Sequence, residues 1–64
     1  MKLQYINIET PDGQTYYIVV NHIVSFFEHE GSNGVVTTTI LTSGKDVYRT
    51  RERMQSIVER IDDL

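Results

Sequence analysis

The sequence predicts a mainly β domain: a five-stranded antiparallel meander or small SH3-like barrel with one C-terminal amphipathic helix. Three observations carry that prediction. Segments rich in β-branched and aromatic residues fill most of the first fifty positions, as a pleated, half-buried surface prefers. Turn-forming clusters separate them at Thr10-Pro11-Asp12-Gly13, Gly31-Ser32-Asn33-Gly34 and Ser43-Gly44-Lys45-Asp46. Near Thr50 the hydrophobic period changes, and Met54, Ile57, Val58, Ile61 and Leu64 then recur at helical spacing, so one stripe of this last segment must be buried.

The first strand spans 3–9, where Leu3, Tyr5, Ile6 and Ile8 are divided among polar positions. It ends at the proline-led turn, in which Pro11 fixes φ and Gly13 accepts the left-handed conformation that the return strand requires. The second strand, 15–20, sets Tyr16, Ile18 and Val20 on one face and Tyr17 and Val19 on the other. Both faces are apolar, which places this strand inside a small barrel or under a partner or the helix. Asn21-His22 has no glycine, so a bend or a single helical turn is expected there rather than a tight hairpin. The third strand, 23–30, again has both parities apolar, with Ile23 and Phe27 opposite Val24 and Phe26. After the Asn33-Gly34 hairpin signal come a fourth strand at 35–42 and, past Gly44, a short fifth at 47–49. The helix is expected over 51–62, with the Thr50 hydroxyl as its cap, Glu52 suiting its positive end, and Asp62 and Asp63 at the unfavourable end.

Composition narrows the classes of function. The 64 residues form one domain, and a chain of that size buries only about 60% of the surface its unfolded form exposes. Without cysteine there is neither a disulfide staple nor a cysteine-based zinc site, so self-association is the expected source of extra burial. The aliphatic run Ile18–Val20 falls far short of a bilayer span, and the first residues hold no signal-peptide core, so a cytoplasmic location is expected. Nine acidic against six basic residues give a net charge of −3, which argues against a dedicated phosphate-backbone binder.

Catalytic and cofactor chemistry find little to stand on. His29 lies between Glu28 and Glu30, but along a strand the two carboxylates share one face and the imidazole takes the other, so the three do not converge on a metal ion. A solvated strand end before a turn explains them. Thr37, Thr38 and Thr39 read as β propensity, since a nucleophile needs a positioned base and an oxyanion donor that nothing here marks. All four glycines lie in turns, in neither a dinucleotide nor a phosphate-loop spacing. No cofactor, no metal and no enzymatic activity are expected.

The one concentration of charge is basic. Lys45, Arg49, Arg51 and Arg53 fall within nine residues at the strand-to-helix junction, broken by Asp46 and Glu52. Two such clusters in a homodimer would form a stripe able to meet phosphate groups, while the plainer reading is an ordinary solvated face. With Tyr17 and Phe26, which stand for the apolar surplus of the second and third strands, these residues are the candidate contact surface. The tyrosines Tyr5, Tyr16, Tyr17 and Tyr48 offer stacking surfaces for single-stranded nucleic acid or, in a chain this small, core volume with a hydroxyl at the edge.

Thr10-Pro11-Asp12-Gly13-Gln14, then Val20-Asn21-His22-Ile23-Val24, Ile40-Leu41-Thr42-Ser43-Gly44-Lys45, Val47 and a closing helix with Val58 and Ile61 together resemble the small flagellar proteins of the FlbD type. The resemblance spans almost the whole chain and rests on turn chemistry and hydrophobic patterning; the same pattern occurs in small bacterial and phage proteins. This chain departs from it in the longer Glu30–Gly34 turn and in Thr50-Arg51-Glu52-Arg53, where that family tends to an acidic helix start. A weaker similarity, at Val47-Tyr48-Arg49-Thr50-Arg51-Glu52, is to the carbon storage regulator proteins, which implies an RNA-binding dimer of five strands and a terminal helix. Their N-terminal pattern is missing, since Leu3 to Gln14 has no basic residue. The expected function is a small non-enzymatic interaction module that self-associates and binds a protein partner; the alternative is a nucleic-acid-binding homodimer using the basic cluster.

Overall fold

The three turn clusters share one hydrogen-bonding scheme. In the first, Thr10 N–H donates to the Gln14 carbonyl (2.8 Å) and Gly13 N–H to the Thr10 carbonyl (2.9 Å). Gly31, Gly34 and Val35 repeat it, and so do Thr42, Lys45 and Asp46. The third residue after the start of each turn takes a positive φ: 91° at Gly13, 81° at Gly34 and 67° at Lys45. In the third turn the left-handed position therefore falls on a lysine, one residue after the glycine that marks the turn in sequence.

In the computed structural model, which describes residues 3–64, these turns join β1 (Tyr5–Glu9) to β2 (Thr15–Val19), β3 (Ile23–Glu30) to β4 (Val36–Thr42), and β4 to β5 (Val47–Thr50). A single 3-10 turn, Val20–His22, bends the chain from β2 into β3, and α1 (Met54–Asp62) ends it. The fold is mainly β with a terminal helix, but the strands form two antiparallel sheets rather than one continuous meander. β1 and β2 make a hairpin, and β3, β4 and β5 make a three-stranded sheet with β4 in the centre. Among the described residues no strand of one sheet pairs with a strand of the other.

The sheets meet over five isoleucines. Ile6, Ile8 and Ile18 come from the inner face of the hairpin, Ile40 from β4 and Ile57 from α1. Val20, Ile23, Phe26, Tyr48 and Ile61 pack around them. Each wholly buried side chain of this kind contributes about 1.5–3 kcal/mol of burial energy, so this cluster holds the sheets and helix together. Phe26, read from sequence as a contact residue, is thus part of the inner packing, and the exposed phenylalanine is Phe27. A register shift between Ile23 and Ser25 is the cause: the extra residue turns both Ile23 and Phe26 inward and leaves Val24 exposed, where strict alternation had set them on opposite faces.

The helix start also differs from the sequence expectation. α1 begins at Met54, its N-cap position is Arg53, and Arg53 makes no side-chain capping bond. Thr50 is instead fully buried at the end of β5, where its hydroxyl donates to the Glu9 carbonyl (2.8 Å) and accepts from Glu52 N–H (3.2 Å). The cap comes from β3, because a Glu28 carboxylate oxygen accepts Met54 N–H at 3.1 Å. Glu52 lies before the helix and pairs with Arg60 in its last turn, whose guanidinium also reaches the Asn7 carbonyl (2.6 Å) and so ties α1 to the hairpin. Leu64, expected to complete the buried stripe, is exposed beyond the helix end.

Candidate functional site

The basic cluster does not act as one unit. Arg53 is spoken for: its Nε donates to Glu28 at 2.8 Å and its Nη2 to the other carboxylate oxygen at 3.4 Å. The bond from Arg53, then the one from Met54 N–H, holds the Glu28 carboxyl below its ordinary value against the opposing effect of burial, and the same pair raises Arg53. Arg60 is likewise paired with Glu52. Lys45, Arg49 and Arg51 form no ion pair among the described residues. They sit at alternate positions along and just beyond β5, the strand at the border of its sheet.

β5 faces the hairpin across a seam. Beyond the Thr50–Glu9 bond the two sheets touch through Tyr16 and Tyr48, whose ring centroids are 5.1 Å apart. At the far end Ser43 N–H donates to the His22 carbonyl (2.8 Å), which anchors the 3-10 turn to the β4–β5 turn. Three hollows follow one another along this seam. The first, about 260 Å³, lies between Thr10 and Pro11 on one side and Thr50 and Arg51 on the other. The second, about 380 Å³, lies between Pro11, Asp12 and Tyr16 and the segment Val47–Arg49. The third, about 190 Å³, lies between Tyr17–Val19 and Asp46 and Tyr48.

The outer face of the hairpin is of a different kind. Tyr5 and Tyr17 meet edge to face at 5.5 Å and, with Leu3 and Val19, surround an almost wholly apolar hollow of about 270 Å³. Leu3, Tyr5 and Tyr17 remain 64%, 48% and 68% exposed. Tyr17 therefore stands where a contact residue is useful, and Tyr5 and Leu3 join it because cross-strand register brings odd positions of β1 and β2 to the same side. Alternation along the two strands was the signal available for that grouping.

The remaining groups stay apart. Phe27 and His29 share the outer face of β3, with ring centroids 6.2 Å apart, while Glu28 turns to the helix. No group of three His, Cys, Asp or Glu among the described residues is placed to hold a metal ion. No helix among them is long and apolar enough to cross a membrane. Thr38 and Thr39 are buried; the Thr38 hydroxyl donates to the Glu52 carbonyl (2.8 Å), whereas the Thr39 hydroxyl has no partner. Comparisons with protein-family models, curated proteins and solved structures find no match for this chain.

Proposed function

We propose that the protein is a non-enzymatic interaction module that self-associates through the outer face of the β1–β2 hairpin and presents its remaining open surface to a protein partner. The observation that carries this reading is the Leu3, Tyr5, Tyr17 and Val19 surface, apolar and open beside a core of only five fully enclosed side chains. A second copy is the occupant that suits it. The patch carries no charge that a two-fold axis would bring against itself, and two-fold interfaces require such self-complementarity. Two partly exposed tyrosines and a leucine present roughly 300 Å², well below the ~800 Å² per partner of a standard stable interface. The pair is accordingly expected to be concentration-dependent rather than obligate.

Sedimentation velocity across a dilution series tests this. The wild-type chain should move from dimer toward monomer on dilution, and Tyr5→Glu should sediment as a folded monomer throughout. A well-folded wild-type monomer at high micromolar concentration overturns the self-association.

A further inference from the structure

We infer that the seam between β2 and the free border of β5 is a strand-addition site for an extended peptide with acidic side chains at alternate positions. The inference rests on the partner-binding half of the proposed function and names the place and the chemistry of that partner. β5 is hydrogen-bonded only to β4 and β2 only to β1, so each has a side that meets no ladder. Main-chain groups on such a border are a template for another strand. Two backbone-anchored contacts close the ends of the seam, Thr50 to Glu9 and Ser43 to His22, and the three hollows occupy the stretch between them. At about 3.3 Å per residue, the four residues of β5 accommodate a segment of roughly four to six residues.

The charges select the occupant. Lys45, Arg49 and Arg51 are unpaired in a chain of net charge −3, and they lie along this border. In the β4–β5 register Arg49 and Val47 stand on the same side of the pleat, and Val47 is 57% exposed. An antiparallel neighbour would set its own alternate side chains beside them, where an acidic residue near Arg49 and an apolar one near Val47 are the favourable cross-strand pairs. Its intervening side chains would lie over Tyr16 and Tyr48. Glu9 and Asp12 are on the opposite wall, and Asp12 already accepts the Thr10 hydroxyl, which leaves β5 as the side that attracts a carboxylate. A basic peptide meets no comparable complement.

The test titrates the full chain, followed by amide NMR, with two capped synthetic peptides of alternating sequence, Val-Glu and Val-Lys, and with the Val-Glu peptide N-methylated at alternate residues. The Val-Glu peptide should shift the amides of Val47–Thr50 and Thr15–Val19. Its affinity should fall at least tenfold for the Arg49→Glu, Arg51→Glu double variant, whose dispersed spectrum establishes folding. N-methylation should abolish the shifts, and the Val-Lys peptide should give none. The inference is overturned by no shifts at millimolar peptide, by equal binding of both charges, or by binding that N-methylation leaves intact. It is also overturned if single-stranded oligothymidine binds this border as tightly as the peptide, which would make the seam a general anion surface. Repeating the titration on Tyr5→Glu separates the two proposals: a monomer that binds the peptide upholds the seam alone, and a wild-type dimer that ignores it overturns the seam alone.

Discussion

Replacing Thr38, Thr39 and Thr50 by Val, one at a time, should change stability in two directions although all three are buried in the same sheet. Valine has the shape of threonine without the hydroxyl, so burial and β propensity stay nearly constant and the hydrogen-bonding difference is isolated. Thr50 makes two bonds, to the Glu9 carbonyl and from Glu52 N–H, Thr38 makes one, to the Glu52 carbonyl, and Thr39 makes none. At a net worth of about 1 kcal/mol per bond, Thr38→Val should cost ~1 kcal/mol and Thr50→Val ~2 kcal/mol. Thr39→Val removes an enclosed hydroxyl that has no partner, and should gain about 0.5–1 kcal/mol. With a urea slope of about 1 kcal/mol/M for a chain this small, the three midpoints should spread over ~2–3 M. A Thr39→Val variant as destabilised as Thr38→Val would refute the reasoning, because the loss would then have nothing to do with the bonds.

Three further changes probe the helix and the turns. Because Glu28 is held below its ordinary value in the folded state, its contribution is full above the unfolded carboxylate range and is lost as pH falls through the folded pKa. Helix content followed by circular dichroism should therefore drop on acidification in the wild type, and Glu28→Gln should start lower at neutral pH and lack that component; parallel acid curves would remove Glu28 from the capping role. Lys45→Gly should raise stability by about 0.5–1 kcal/mol in urea melts, since the left-handed position is costly for a residue with a Cβ and free for glycine. Arg60→Ala should cost about 1–2 kcal/mol by losing its bonds to the Asn7 carbonyl and Glu52, with Arg60→Lys, which has no two-pronged donor, recovering only part.

What the sequence discloses about this fold is what local chemistry controls. Pro11-Asp12-Gly13 and Asn33-Gly34 announce their turns because φ restriction and φ freedom are properties of those residues alone. The junction at Asn21-His22 reads correctly as a helical turn for the same reason, the lack of a residue suited to a tight reversal. Contacts distant in the chain are silent. The carboxylate that caps α1 lies 26 residues before it, so Thr50 looked like the cap while its hydroxyl was committed to β1. The extra residue at Val24 left no compositional mark, and it exchanged the roles of Phe26 and Phe27. At the candidate site the sequence showed four cations in a row. Only the folded chain shows that one of them is consumed by Glu28 and that three remain along an open strand.

The Glu28–Met54 bond makes the helix conditional. Nine residues are fewer than the ~12–15 that a helix needs to persist alone in water. Its first N–H groups find their acceptor only once β3 is in place beside β4 with the bulge correctly set. Nucleation at that end thus waits for the three-stranded sheet, and a fault in the register of β3 would register as lost helix rather than as a misplaced strand. Helical signal in this chain is a readout of sheet assembly, which allows one optical measurement to follow both.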